Sequence, residues 1–330
     1  MLRLPAFTYE PARSIAQAVG LLAQYGPDAL VVSGGTDLYA NMKQRLFTPK
    51  VLVGLRSISE MRFIAYDDAT GLDIGALTTL RTIAEDPVVN ARYHSLARAA
   101  SLISTPQLRN MGTIGGNVCL DTRCNFYNQQ EDWRQALGYC LKKDGDVCRV
   151  AVSSTKCLAV NSSDLVPVLQ SFDATLHLAG PTGERAVKIV EFYRDDGRYA
   201  RVNGPTEVVT RITIPPPQAQ TRSAYRKLRL RGSFDFPLLG VAAVVRLDDD
   251  GVCRDARLIL NAVAAQPVEV TEAVRYLVGT RLEADALAAA AECAYKCGKP
   301  LDNTSASVLY RKRMLRVFAR RTLEDLRHGI

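Results

Sequence analysis

The chain has 330 residues, of which 47% are hydrophobic and 23% charged, and its formal net charge is +8. This length can bury a large core and predicts two or three domains. The basic residues are scattered and carry no recognition motif, so we expect no nucleic-acid partner. No apolar run reaches the ~20 residues that span a membrane, and residues 1–5 lack a signal-peptide core. We therefore expect a cytoplasmic protein without a membrane partner.

The densest group of basic residues lies near the C-terminus. It comprises Arg311, Lys312, Arg313, Arg316, Arg320 and Arg321. Apolar residues such as Leu315 and Phe318 recur among them at helical spacing, which predicts an amphipathic helix with a solvated basic face. Contact with an acidic partner protein is the alternative.

The first 58 residues predict a small α/β layer. Ser14 is typical of a helix N-cap, Gln17 completes a capping box, and Gly26 is placed to end that helix. Two short apolar runs, at 29–33 and 51–55, are typical of buried strands. The first run leads directly into a glycine loop.

The middle of the chain predicts a second layer, from a β segment at 58–77 and a helix from Asp86 through Ala100. Further strand candidates lie at 174–178, 186–190 and 208–214. Three prolines at 215–217 cannot continue a central strand and indicate a domain boundary.

The last part of the chain predicts an α+β layer. A hairpin-like pair of strands, at 240–247 and 257–264, precedes three predicted helices at 270–277, 284–297 and 307–327. The predicted domains are therefore 1–58, 59–216 and 217–330, with an insertion at about 118–160 in the second.

Two Gly-Gly loops are the first chemical signal. One is Ser33-Gly34-Gly35-Thr36-Asp37, and the other is Thr113-Ile114-Gly115-Gly116-Asn117. Neither belongs to a Gly-x-Gly-x-x-Gly or Walker A sequence, so Rossmann and P-loop nucleotide sites are not supported. Because glycine has no Cβ, two such turns with Ser, Thr and Asn donors could cradle a pyrophosphate from both sides. A tight turn is the alternative for each loop taken singly.

Five of the eight cysteines fall in one stretch, as Cys119, Cys124, Cys140, Cys148 and Cys157. In a reducing cytoplasm, cysteines are more often metal ligands than disulfides. The other three, Cys253, Cys293 and Cys297, are predicted to be buried small apolar residues. With only three histidines in the chain, histidine-based sites are poorly supported, and we predict no catalytic side chain.

A resemblance to a known family rests on three features of the sequence. They are the two Gly-Gly loops, the opening Leu4-Pro5-Ala6-Phe7-x-Tyr9-x-Pro11 and the later Tyr225-Arg226-Lys227-x-x-x-Arg231. The chain resembles the FAD-binding medium subunit of the molybdenum hydroxylases, to which xanthine dehydrogenase and aerobic carbon monoxide dehydrogenase belong. The resemblance covers nearly the whole chain. It implies an α+β fold: two subdomains clasping FAD in the PCMH-type, non-Rossmann manner, followed by a C-terminal α+β domain.

The resemblance also implies which residues hold FAD. One side of the pyrophosphate would be wrapped by Val31, Val32, Ser33, Gly34, Gly35, Thr36, Asp37 and Leu38. The other side would be wrapped by Thr113, Gly115, Gly116 and Asn117. Asp164 fits a carboxylate on the ribityl or adenosine side, and Lys227 fits a lysine beside the isoalloxazine, where its charge would favour the reduced flavin. A lysine on a surface strand is the alternative for Lys227.

The chain departs from the common family pattern between Asn117 and Asp164, which are 47 positions apart. The additional residues carry the cysteines. Such an insertion resembles that of the β subunit of 4-hydroxybenzoyl-CoA reductase, where the insertion binds an additional [4Fe–4S] cluster.

Four thiolates are needed for such a cluster. The predicted ligands are Cys124, Cys140, Cys148 and Cys157, at spacings of 16, 8 and 9 residues. Cys119 is left out because it lies two residues after Asn117, in the flavin loop. A zinc site with four cysteine ligands would use the same set, and unligated cysteines are the third alternative. Four flanking basic residues could attract an acidic ferredoxin, or form a solvated loop: Lys142, Lys143, Arg149 and Lys156.

The sequence thus predicts an electron-transfer subunit that holds FAD and one [4Fe–4S] cluster. Its implied partners are a molybdopterin-containing large subunit and a [2Fe–2S] small subunit, in a dimer of heterotrimers, with a ferredoxin as electron donor. The reductase resemblance implies dehydroxylation of 4-hydroxybenzoyl-CoA at molybdenum in the partner. Two alternatives stay open: an ordinary hydroxylase flavin subunit that delivers electrons to NAD or a quinone, and a zinc-stabilised docking module.

Overall fold

The computed structural model describes residues 2–329. The first layer is a parallel three-stranded sheet of β1 (Thr8–Pro11), β2 (Ala29–Val32) and β3 (Val51–Gly54), in the order β1-β3-β2. Helix α1 (Ile15–Tyr25) follows β1, and α2 (Leu38–Lys43) follows β2. The Ser14 hydroxyl accepts a hydrogen bond from the Gln17 amide, and Gly26 ends α1 with φ +53°, so the predicted helix and both of its caps are confirmed.

The second layer is an antiparallel sheet of five strands in the order β4-β5-β8-β6-β7. They are β4 (Ile64–Asp67), β5 (Gly71–Gly75), β6 (Thr175–Gly180), β7 (Gly183–Lys188) and β8 (Val208–Ile214). The helices between β5 and β6 are α3 (Leu80–Glu85), α4 (Pro87–Arg92), α5 (His94–Leu102), α6 (Pro106–Arg109), α7 (Ile114–Val118), α8 (Glu131–Ala136) and α9 (Leu165–Ser171). Helix α10 (Ile189–Phe192) follows β7.

The single helix expected from Asp86 through Ala100 is wrong, because the structure divides it at Tyr93. This residue leaves helical geometry at φ −132° and ψ 50°. Its ring is buried edge-on against Phe172, with 5.3 Å between the ring centroids, and its hydroxyl donates to the Pro215 carbonyl over 2.9 Å. Packing of this aromatic ring into the core outweighs the helical pattern around it.

The third layer is an antiparallel sheet in the order β12-β11-β10-β9. It comprises β9 (Thr221–Leu228), β10 (Leu239–Leu247), β11 (Cys253–Asn261) and β12 (Val268–Glu269). Helices α11 (Thr271–Leu277), α12 (Ala284–Cys297) and α13 (Val308–His328) pack beside it, which confirms the three predicted C-terminal helices.

Two large hydrophobic cores hold these layers together. One joins the first two sheets and extends to Tyr225, and the other lies between the third sheet and its helices. Helix α9 is buried throughout and packs against β10 and β11, so it joins the second layer to the third. Each sheet falls within one of the expected domains, whose boundaries at 58 and 216 stay a prediction.

The solvated basic face expected for the C-terminal helix is wrong at Arg311. This side chain is fully buried and donates to the carbonyl oxygens of Leu238, Leu301 and Ala262. Burial lowers the pKa of its guanidinium to about 10. Arg311 therefore ties α13 to three separate segments instead of facing water.

Among residues 2–329, no helix combines the length and the apolar character that a bilayer crossing requires.

Candidate functional site

The two glycine segments lie side by side. Residues 33–37 connect β2 to α2, and the Ser33 hydroxyl is 3.0 Å from that of Thr113. A Cβ on Gly34 would collide with the carbonyl oxygen of Met111, and Gly35 has φ +70°. The first loop therefore needs one glycine for close packing of the two segments and the other for its left-handed backbone.

The second glycine segment is a short helix and not the expected loop. Thr113 caps α7 by accepting a hydrogen bond from the Gly116 amide over 3.2 Å. A Cβ on Gly115 would lie 2.8 Å from the carbonyl oxygen of Ala76, whereas one on Gly116 would meet only the Thr113 hydroxyl, at 3.2 Å. Gly115 is thus required for packing on the second sheet, and Gly116 is exposed.

This difference between the two glycines leads to a prediction about cofactor binding. In Gly116→Val, the new side chain would project from an exposed backbone position, so we expect a folded protein that loses FAD because the pyrophosphate can no longer approach. Flavin content after gel filtration is the measurement. Gly20→Val is the matched control, because Gly20 is also exposed and a Cβ there would meet no described atom within 4 Å. Full retention of FAD by folded Gly116→Val would remove this segment from the flavin site.

The remaining residues of the first segment have varied surroundings. Val32 is buried against Met42 and Leu52, so only its backbone could face a ligand. Val31 and Leu38 are half-buried, and Thr36 is exposed. The Asp37 carboxylate accepts from the Asn41 amide at 2.7 Å and lies 3.3 Å from Arg123. Burial raises the pKa of Asp37, and the Arg123 charge opposes that shift.

Asn117 joins the two ends of the insertion. Its side-chain oxygen accepts from the Ser163 hydroxyl at 2.7 Å and from the Leu165 amide at 3.3 Å. The Asn261 amide also donates to the Ser163 carbonyl, over 2.6 Å. The 47-residue separation in sequence is therefore closed in space, and the glycine helix lies against the start of α9.

Asp164 and Lys227 form a buried ion pair at this junction. Their charged atoms are 2.8 Å apart, and their side chains are 4% and 1% exposed. Tyr225 donates its hydroxyl to the other carboxylate oxygen over 2.6 Å, and Lys227 also donates to the Leu102 carbonyl over 3.3 Å. The surface-strand alternative for Lys227 is wrong. Burial raises the pKa of Asp164, and the charge of Lys227 opposes this shift.

The four predicted metal ligands meet in the insertion. Cys124, Cys140, Cys148 and Cys157 are each at most 8% exposed, and all four line one cavity. Phe126, Tyr127, Leu141 and Lys142 contribute to the same wall. Cys119 lies elsewhere, packed against the core of the first two sheets.

Burial determines the protonation state of two thiols in this wall. Burial raises the pKa of the Cys124 thiol to about 12 and that of Cys157 to about 11, so without a cation these thiols stay protonated. Coordination to a metal removes the thiol proton. Within residues 2–329, no three His, Cys, Asp or Glu side chains are grouped to hold one metal ion. The four thiols line one cavity, and four is the number of thiolates that an iron–sulfur cluster needs.

Arg134 holds the insertion in place. The sequence did not indicate this role, because the neighbours of Arg134 in the sequence are mainly polar and charged. Its side chain is 1% exposed and donates to the carbonyl oxygens of Gln44 and Arg45, just beyond the end of α2. A cation at a helix C-terminus is stabilising there. These contacts attach the insertion to the first layer.

Arg123 links the cysteine cavity to the first flavin segment. It precedes Cys124, pairs with Asp37, and stacks its guanidinium 3.8 Å from the ring centroid of Phe236. A second cavity of about 450 Å³ begins at Cys124 and extends past Ser162 to the 230–238 loop. This is within the usual size range of small-molecule sites, roughly 300–1,000 Å³.

The basic residues of the insertion differ from the expectation of a solvated or ferredoxin-facing group. Lys142 has a side chain that is only 6% exposed, so the expectation is wrong for this residue. Lys156 is exposed and pairs with Asp195, and Arg149 is exposed and donates to the Tyr139 carbonyl. Of the other cysteines, Cys253 is buried, whereas Cys293 and Cys297 are half-buried.

The two glycine segments meet at the junction of the first two sheets, and an antiparallel sheet with three helices follows them in the chain. This arrangement is a flavin-binding fold of the non-Rossmann, PCMH type. Residues 5–217 match the FAD-binding domain in molybdopterin dehydrogenase, and residues 223–326 match the CO dehydrogenase flavoprotein C-terminal domain. The chain belongs to the FAD-binding medium subunits of the molybdenum hydroxylase family. The fold and family expected from the sequence are confirmed.

Individual relatives match over almost the full chain. The carbon monoxide dehydrogenase medium chain of Afipia carboxidovorans is 32% identical over 319 residues, covering 97% of this chain and 96% of that one. The nicotinate dehydrogenase FAD-subunit of Eubacterium barkeri is 28% identical over 324 residues, covering 97% and 96%. A solved structure of Cu,Mo-CO dehydrogenase matches with a TM-score of 0.81 at 30% identity, over 99% of this chain and 100% of that one.

Proposed function

We propose that this chain is the FAD- and [4Fe–4S]-containing electron-transfer subunit of a molybdenum enzyme that dehydroxylates 4-hydroxybenzoyl-CoA. The observation that carries the proposal is the cavity lined by four buried cysteines within an insertion of the flavin fold. The resemblance of this insertion to that of the reductase β subunit supplies the reaction.

The cysteine cavity supports an iron–sulfur centre on three grounds. Four thiols are present, each cysteine is at most 8% exposed, and most of the other side chains in the cavity wall are apolar or aromatic. Arg134 and Asn117 hold the insertion against the rest of the fold, so its position relative to the flavin segments is set by charged and polar contacts. Cys124, Cys140, Cys148 and Cys157 would be the ligands.

The glycine segments support the flavin site. Ser33, Gly34, Gly35 and Thr36 would approach the pyrophosphate from one side, and Thr113, Gly116 and Asn117 from the other. FAD, when bound, can exchange electrons singly with iron–sulfur centres. The Asp164–Lys227 pair would orient the ribityl and isoalloxazine end. Because Lys227 is neutralised by Asp164, its effect on the flavin potential is smaller than that of a free lysine.

The proposed electron path begins at a ferredoxin, enters through the insertion and continues through the flavin to the partner subunits. Those partners are a [2Fe–2S] small subunit and a molybdopterin-containing large subunit, in a dimer of heterotrimers. The overall reaction consumes two electrons and two protons per 4-hydroxybenzoyl-CoA, giving benzoyl-CoA and water. We propose the cytoplasm as its location, because thiolate ligands need a reducing compartment.

Separation of the subunits tests the multi-subunit proposal. The purified chain alone should not convert 4-hydroxybenzoyl-CoA, yet it should transfer electrons from dithionite to a dye through its flavin. The chain assembled with its partners should convert the thioester when reduced ferredoxin is supplied. Conversion by the single chain would contradict the proposal. An assembled complex that uses NAD or a quinone and ignores the thioester would favour the ordinary hydroxylase alternative.

A further inference from the structure

Lys142 is a buried charge in the insertion that the proposed function does not use. Its side chain is 6% exposed and lines the same cavity as the four cysteines. Its ammonium donates to the Asp121 carboxylate and the Thr122 hydroxyl, each over 2.7 Å, and to the Gly197 carbonyl over 2.5 Å. An ammonium has three N–H donors, so every one is accounted for. These contacts fix the position of the charge.

The carboxylate of Asp121, which pairs with Lys142, does not cancel the Lys142 charge inside the cavity. Asp121 is 25% exposed at its side chain, against 6% for Lys142, and it is not part of the cavity wall. Asp121 also accepts from the Tyr127 hydroxyl over 3.0 Å and from the Thr122 amide over 2.9 Å. Solvent screens an exposed charge more strongly than a buried one. The positive end of the pair therefore acts on the cavity more strongly than the negative end.

The ammonium lies close to the wall that the four cysteines share with Tyr127. Its nitrogen is 4.8 Å from the centroid of the Tyr127 ring, and Tyr127 lines the same cavity as Lys142 and the cysteines. A centre bound by the cysteines would therefore lie next to a fixed positive charge.

We propose that Lys142 raises the reduction potential of the iron–sulfur cluster that the four cysteines bind. This inference rests on the proposed function. Four thiolates give the bound centre a net negative charge, which grows by one on reduction. The step transfers one electron from an external donor to the cluster, with no bond made or broken and no proton moved. A fixed ammonium beside the thiolates stabilises the reduced state more than the oxidised one.

The test is a redox titration of the anaerobically purified full-length chain, with dithionite as reductant and the EPR signal of the reduced cluster as readout. In Lys142→Met, we expect the ratio of reduced to oxidised cluster at a fixed potential to fall about tenfold. For a one-electron couple, this is a shift of about 59 mV to more negative potential. Lys142→Arg, which keeps the charge, should stay close to the wild type. Iron is measured in every variant.

Two further variants distinguish charge from architecture. Lys143→Met removes the same charge from the next residue, whose side chain is 34% exposed and outside the cavity wall, so a much smaller shift is expected. Asp121→Asn removes the opposing charge from the same hydrogen-bond network. We expect Asp121→Asn to shift the reduction potential of the cluster in the positive direction. If the loss of hydrogen bonds were the cause instead, Asp121→Asn and Lys142→Met would shift the potential in the same direction.

The results that would overturn the inference are specific. It fails if Lys142→Met shifts the potential no more than Lys143→Met, or if Asp121→Asn shifts it in the negative direction. If Lys142→Met cannot hold iron, the sign of the Asp121→Asn shift decides. A wild-type chain that contains no cluster would instead contradict the proposed function.

Discussion

Cys124→Ser, Cys140→Ser, Cys148→Ser and Cys157→Ser are each expected to lose most of the bound iron and to keep most of the FAD. All four cysteines line one buried cavity, so removal of any thiolate leaves an incomplete ligand set. The glycine segments lie outside the insertion, and Asn117 joins its two ends independently of the cysteines. Iron and flavin content after anaerobic purification are the measurements.

Cys119→Ser is the matched control for these substitutions. Cys119 lies in the same part of the sequence but packs against the core of the first two layers. We expect this variant to keep its iron. If Cys119→Ser loses iron while Cys124→Ser keeps a full complement, the ligand set is wrong although the cluster exists. If all five variants contain the same iron as the wild type, the cysteine cavity is not a metal centre.

Lys227→Met is expected to lower the free energy of unfolding by about 3–5 kcal/mol, because removal of one partner leaves a buried charge uncompensated. Asp164 is 4% exposed, and its carboxylate would keep the hydrogen bond from the Tyr225 hydroxyl and the more distant charge of Arg229. Urea unfolding of the flavin-free variant and the flavin-free wild type is the measurement. Lys188→Met is the control, because Lys188 and its partner Asp173 are 45% and 46% exposed, and such pairs contribute about 0–1 kcal/mol.

The pH dependence of this difference has a definite sign. Burial raises the pKa of Asp164, and Lys227→Met removes the charge that opposes the rise. In the variant, the folded state therefore binds more protons than the unfolded state, and its stability falls as the pH rises through the folded pKa. The difference in free energy of unfolding between the wild type and Lys227→Met should be smaller at mildly acidic pH than at alkaline pH. If Lys227→Met and Lys188→Met lower the free energy of unfolding equally, the Asp164–Lys227 ion pair does not hold the second and third layers together.

Local sequence patterns predicted the elements that local interactions determine. Ser14 and Gly26 bound a helix because a cap needs only neighbouring residues, and β8 has the predicted limits, 208–214. Tyr93 divided a helix because its acceptor, the Pro215 carbonyl, is supplied from a distant segment. No local pattern contains that partner.

The candidate site shows the same limit. The cysteine spacing suggested ligands, but their meeting in one cavity depends on the path of the whole insertion. Arg134, Lys142 and Arg311 resemble surface residues in the sequence. Each is buried, and each donates hydrogen bonds to carbonyl or carboxylate groups from other segments. Such acceptors become visible only when the chain is folded.

The most direct test of the proposed function is the iron, acid-labile sulfide, zinc and FAD content of the anaerobically purified full-length chain. We expect four iron and four sulfide per FAD with no stoichiometric zinc, as a single [4Fe–4S] cluster requires. One zinc per FAD without sulfide, or FAD with neither metal, would contradict the proposal that the four cysteines hold an iron–sulfur centre.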